Sequence, residues 1–267
     1  MAAATRRTKA AHIAALLIAV LTLLAWHARD ASATQSAKLN VALVPEHLGR
    51  DTTIVLGFQI ATPLGRIPPP LTAFDLRYPA NLGIVTSGLG LATCEPATLE
   101  ALGPEGCPPD SLIGHGSALA EIPLGPEIIH ETGQITTWMA PIQEGHLRVL
   151  FYAEARSPIY AQLIFTGLVL EAPPPFGGSL DTNVPPVPTL PEAPDAAVVQ
   201  MRATIGPKNV TYYERSHGKT IAYQPNGIRL PETCPRHGFP FAATFNFLDG
   251  THTTINTSVP CPADKTA

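Results

Sequence analysis

The chain has 267 residues, of which 45% are hydrophobic and only 14% charged, with 29 prolines, four cysteines and a formal net charge of −4. Soluble domains average about 25% charged residues and about 5% proline. A chain this short of basic side chains has no patch to displace counterions from a nucleic acid, which argues against such a partner, and its length suits one sizeable domain or two small ones.

At the N-terminus, Arg6, Arg7 and Lys9 precede an uncharged, almost wholly apolar run from Ile13 to Trp26, and Ala31-Ser32-Ala33 supplies an A-x-A cleavage pattern. These features describe a secretory signal peptide over 1–33. The apolar run falls short of the about 20 residues of a spanning helix, so membrane contact is expected only if the leader stays uncleaved. Removing it lowers the 17 basic and 21 acidic side chains to 13 and 20, a formal charge of −7. Residues 34–267 then form an exported domain, secreted or held at the cell surface. An even cysteine count in such a chain reads as disulfides.

Beyond residue 33 no long helical period appears. Short alternating or apolar runs occur at 40–44, 53–61, 117–122, 133–139, 147–153, 161–170 and 197–205, punctuated by glycine and proline. Many short strands with turn signals argue for a sandwich or barrel. The expected fold is all-β: an antiparallel β-sandwich with one short disulfide-bracketed helix, after an N-terminal signal helix. The helix is expected in TCEPATLEALGPEGC, with Glu95 as cap, Pro96 at the first helical position and Gly103 at the exit. Four cysteines allow three pairings; the two sequence-local pairs, Cys94–Cys107 and Cys234–Cys261, are the expected ones.

Catalytic motifs are absent from the sequence. Gly114-His115-Gly116-Ser117 holds the residues of a nucleophile elbow in the wrong order, and His115 reads as a turn histidine before a strand. His130-Glu131 opens like a metalloprotease helix, but Gln134 stands where a second histidine is needed. No phosphate-binding or dinucleotide-binding glycine loop occurs, and no cofactor is expected. The segment 172–194 contains eight prolines and reads as a domain boundary or a stiff extended crossover. In 211–227, Tyr212, Tyr213, Glu214, His217 and Tyr223 cluster in a second hairpin. Tyrosine stacks with its ring and bonds with its hydroxyl, so these five mark a candidate ligand-binding surface, fitted to an envelope polysaccharide or a peptide.

The stretch from Cys234 to Cys261 is the most informative. Phe239, Phe241, Ala243, Phe245 and Phe247 alternate with Pro240, Ala242, Thr244 and Asn246, the period of a half-buried strand. A two-residue Asp249-Gly250 loop would set the phenylalanines opposite even-numbered polar residues. A three-residue loop, 248–250, with Gly250 left-handed, pairs Phe239 with Val259 and Ala243 with Ile255 on one apolar face. That register puts His252 at the turn and Cys261 at the base, about 30 Å apart at about 3.3 Å per residue. Zinc ligands gather within about 2.3 Å of one ion, so Cys234, His237, His252 and Cys261 do not form a metal site. The Pro235–Gly238 turn must instead fold Cys234 back towards Cys261.

Two stretches, Thr93 to Ala118 (TC followed by CPPDSLIGHGSA) and Pro173 to Gly250 (with PPPFGG, NVPPVPTLPEAPDAAVVQMRATIGP and CPRHGFPFAATFNFLDG), resemble uncharacterised exported proteins of actinobacterial type. The resemblance covers about half of the chain. It implies export and an all-β fold, and it assigns no functional residue. The function expected from the sequence is that of an exported, non-catalytic β-sandwich protein with a structural or ligand-binding role in the envelope or outside the cell. The alternative is an extracytoplasmic hydrolase whose site is assembled from separate loops.

Overall fold

Where apolar residues recur at every second position, the chain forms strands. A computed structural model describes residues 35–84, 92–187, 189, 195–206, 212–223 and 228–263; the signal segment 1–33 lies outside the described residues. The strands are β1 (Ser36–Val44), β2 (Asp51–Ala61), β3 (Leu71–Pro79), β4 (Gly83–Ile84), β5 (Leu112–Leu124), β6 (Glu127–Gln143), β7 (His146–Ala155) and β8 (Ala161–Glu171). They continue as β9 (Phe176–Asn183), β10 (Ala197–Ile205), β11 (Tyr212–Ser216), β12 (Lys219–Tyr223), β13 (Ile228–Arg229), β14 (Phe239–Phe247) and β15 (His252–Val259).

Thirteen of them make one antiparallel sheet in the order β15-β14-β3-β9-β8-β7-β6-β5-β10-β2, with β1 paired to β2 and the short β13 and β4 extending from the start of β2. The five strands β5 to β9 follow one another as neighbours, a meander with no break at which a second sheet could start. The expected two-sheet sandwich is therefore replaced by a single sheet that curls round its own core. The two ends of the sheet meet at β1 and β15. There the Thr253 hydroxyl donates to the Gln35 carbonyl oxygen at 2.8 Å, and the Thr251 hydroxyl to Gln35 Oε1 at 3.1 Å. The barrel is nearly closed, with side chains bridging the seam in place of a backbone ladder.

Inside, Phe58 packs on Phe245 (ring centroids 4.8 Å) and Phe74 (6.4 Å), Phe74 on Phe151 (6.3 Å), and Phe151 stacks on Phe165 (4.9 Å). This aromatic cluster fills the middle of the barrel. The β14–β15 pairing follows the expected register, with Phe239 opposite Val259, Ala243 opposite Ile255 and Asn246 opposite His252. Gly250 has φ +81°, the left-handed geometry that the three-residue loop requires.

A second apolar cluster lies outside the barrel. Trp138 and Ala140 of β6 and Leu150 and Tyr152 of β7 point outward and are covered by Leu99 of helix α1 (Pro96–Leu102) and by Cys94 and Cys107. Pro96 opens α1, and Gly103 closes it with its N–H on the Leu99 carbonyl. The Cys94 N–H bonds the Met139 carbonyl at 2.8 Å and ties this segment to β6. Both local disulfides form: Cys94–Cys107 (Cα atoms 5.1 Å apart) and Cys234–Cys261 (5.8 Å). The Gly238 N–H on the Pro235 carbonyl, at 2.9 Å, closes the turn that folds Cys234 back. Because α1 is too short to stand alone in water, the 14-residue loop closed by Cys94–Cys107 is worth about 3 kcal/mol in the chain-entropy account. Reduction is expected to lower the melting temperature markedly, and a chelator to leave it unchanged; thermal melts with and without reductant check both.

Three local expectations change. His115 is not in a turn but exposed within β5, because Gly114 and Gly116 serve strand packing and not chain reversal. The proline-rich segment 172–194 contains β9, bonded to β3 on one side and β8 on the other. Its prolines stand at both sides of that strand and leave its donors intact. The third is β3, absent from the expected runs although Phe74, Leu76 and Tyr78 alternate with the outward Asp75 and Arg77 at the period of a half-buried strand.

Candidate functional site

The inward-facing side chains are uneven in size, and that leaves space. Above and below the phenylalanine cluster the barrel holds two apolar cavities. The first, about 90 Å³, has large apolar side chains such as Phe58, Phe74 and Phe165 on one part of its wall and small residues from neighbouring strands on another: Ala118 and Ala120 of β5, Gly133 of β6, Ala153 and Ala155 of β7 and Ala161 of β8. The second, about 130 Å³, is walled by larger ones, among them Leu56, Leu76, Tyr78, Val149 and Leu180, with Phe241 from β14. A single water needs roughly 10–15 Å³ of such space, and close-packed interiors hold few voids larger than one water. Both spaces exceed that several-fold.

Each cavity carries a polar group. Glu131 faces the first, because β6 alternates and Glu131 shares its parity with the inward Ile135 and Met139. It is 5% exposed, and it is the sole ionisable side chain among the fully buried polar residues described. Its Oε2 accepts the Ile159 N–H at 2.9 Å, whereas Oε1 is buried with no partner among the described residues. Glu154 also borders this cavity, but it shares the outward parity of Tyr152, and its carboxylate is held by Arg156 at 3.0 Å. In the second cavity, Thr137 is buried with its hydroxyl unpartnered among the described residues. Burial also pushes the Tyr78 phenol above its ordinary range.

A pair of carboxylates does converge, but on the outside. Asp75 of β3 stands directly opposite Asp181 of β9, a spacing at which Cβ atoms lie about 5 Å apart. Burial first, then the Asp181 charge, raises the Asp75 carboxyl above its ordinary value, while Arg77 at 3.3 Å pulls it down. Neither aspartate borders either cavity. A carboxyl raised in the folded state contributes stability that is present below its unfolded value and lost as pH rises through the folded one. Asp181→Asn removes the repulsion and supplies a donor to Asp75. It is expected to stabilise by up to about 1 kcal/mol at pH 7 and to have little effect near pH 3; denaturant melts at the two pH values check this.

The tyrosine hairpin forms a separate two-stranded ribbon, β11–β12. Its register sets Tyr212 opposite Tyr223, Tyr213 opposite Ala222 and Glu214 opposite Ile221, with the turn at His217 and Gly218. Tyr212, Tyr213, Glu214, His217 and Tyr223 thus share this one ribbon. Cys94, Cys107, Cys234 and Cys261 serve as two structural bridges. Among the described residues no group of three or more histidine, cysteine, aspartate or glutamate side chains is placed to hold a metal ion, and no helix is long and apolar enough to cross a membrane.

Sequence reasoning missed Glu131 because it measured His130-Glu131 against a helical motif; the signal that finds it is the strand parity of β6 extended four residues upstream of Ile135. Comparison with protein-family models, with curated proteins and with solved structures finds no match to this chain.

Proposed function

We propose that this is an exported, non-catalytic β-barrel protein that binds a small apolar ligand in its interior, outside the cytoplasm. One observation carries the reading: on one side the wall of the first cavity is built of alanines and a glycine from β5, β6, β7 and β8. Larger apolar residues at those positions would fill it, as cores ordinarily do. The two disulfides are at home in an oxidising compartment, and the leader over 1–33 with its Ala31-Ser32-Ala33 pattern supplies the route. Kinship with exported proteins of actinobacterial type belongs to the same proposal and rests on the two sequence stretches quoted above.

The binding test uses protein refolded free of ligand, with its alanine methyls labelled with carbon-13, and titrates dissolved n-butane. Saturable shifts at Ala120, Ala153, Ala155 and Ala161 are the expected result. Shifts confined to exposed methyls overturn the reading, and turnover of ester or glycoside substrates by the same protein would restore the hydrolase alternative. For export, the expected mature N-terminus is Thr34, read by intact-mass spectrometry of protein recovered outside the cells; an intact leader in the membrane fraction would instead make 1–33 an anchor.

A further inference from the structure

We infer that the first cavity selects ligands that carry one hydrogen-bond donor, an amine or a hydroxyl, on a short apolar body, and that Glu131 is the residue that reads it. The inference rests on the apolar-ligand reading above and names the polar end of that ligand.

Glu131 Oε2 is already occupied. It accepts the Ile159 N–H and so holds the turn between β7 and β8. A purely structural anchor for one N–H needs one acceptor, and an amide or hydroxyl side chain would serve with less desolvation. A carboxylate brings a second oxygen, and here that oxygen is buried with no partner among the described residues. An acceptor left so has lost its hydration with nothing in return, and the loss is greater when the group is charged. The position of Glu131 across the sheet from Ala120 puts it among the small side chains of the cavity wall. Every other described residue of that wall is apolar save Glu154, whose carboxylate is turned outward to Arg156. The chemistry of the space is thus a single acceptor in an apolar chamber. An ammonium or hydroxyl group satisfies it; a carboxylate or a carbonyl would meet it oxygen to oxygen and be rejected. At about 90 Å³ the chamber suits a body of a few carbons.

The test repeats the alanine-methyl titration with n-butylamine and n-butanol beside n-butane. Wild-type protein is expected to bind the amine, the alcohol or both at least about tenfold more tightly than the alkane, the return of one hydrogen bond to a charged group. Equal affinity for all three overturns the inference and leaves the apolar-ligand reading standing. Failure of all three to shift Ala120, Ala153, Ala155 and Ala161 overturns both. Glu131→Gln retains an acceptor for the Ile159 N–H and places an amide donor where the free oxygen stood. It is expected to erase the preference for the amine, whose ammonium has no lone pair to accept from that donor, while leaving n-butane binding within about twofold; the alcohol, which can accept from it, keeps its hydrogen bond. A retained preference for the amine in this variant counts against Glu131. The comparison among probes needs only the wild-type protein, so the inference stays decidable if the variant does not fold.

Discussion

Phe245→Ala is expected to destabilise the protein by about 3–5 kcal/mol, the range for truncating a buried aromatic. Phe245 is 1% exposed on β14, and its ring packs 4.8 Å from Phe58, the ring through which it joins the barrel's aromatic cluster. Its loss would open a void between two strands that do not pair with each other, so the sheet cannot close over it by a local shift. His252→Ala, seven residues on and across the same hairpin, should change stability by less than about 0.5 kcal/mol, because His252 is exposed opposite Asn246. Denaturant unfolding of both variants checks the pair. Equal losses, or the reverse order, would mean that the hairpin is paired in a different register.

The second large effect belongs to Gly116. β5 and β10 approach so closely here that a methyl group added to Gly116 would fall onto the Arg202 carbonyl oxygen and the Cα of Ala203. Both are backbone atoms, and both belong to a strand pinned on its far side by β2. Overpacking against movable side chains costs about 1–3 kcal/mol; against fixed backbone, Gly116→Ala is expected to reach the top of that range or exceed it. Gly83→Ala, in the short strand β4, is the control, since nothing lies within 4 Å of a methyl there and its φ is one that any residue adopts. The difference in melting temperature between the two isolates the close approach from the general cost of losing a glycine.

The C-terminal hairpin was legible in the sequence because three independent signals agree on it: alternation in Phe239 to Phe247, β-branched residues in the partner strand, and a glycine where a three-residue loop needs one. The disulfides followed from local spacing, and α1 from Pro96 and Gly103. β3 and β9 were not legible. Both lie in the middle of the sheet; prolines crowd their ends and Gly177 and Gly178 thin the apolar side of β9, and these breakers hid the alternation that Phe74, Leu76 and Tyr78 keep with Asp75 and Arg77. Whether the strands would close as one sheet or two also lay beyond reach, since that depends on which distant strands meet: β3 pairs with β9 and β14, and β10 with β2 and β5. The cavity is the extreme case. Ala118, Gly133, Ala153 and Ala161 are unremarkable one at a time, and they become a chamber only when four strands bring them to one level. Glu131 was visible all along as an acid at an inward parity, but a charge in a strand is ordinarily a solvated one, and only burial marks it out.

The seam between β1 and β15 has a consequence for the fate of the protein in concentrated solution. An unpaired strand edge is a template for another chain, and proteins blunt such edges with lysine, proline or cover. β15 has no such guard: from His252 to Val259 it contains no lysine, arginine, aspartate, glutamate or proline, and threonine recurs through it. Its cover is β1, held across the seam through Gln35, Thr251 and Thr253. A molecule whose β1 peels away presents eight residues without Lys, Arg, Asp or Glu along a bare edge, five of them Thr, Ile or Val, a composition that favours stacking of identical strands. The first strand of the barrel thus shields the last from polymerisation.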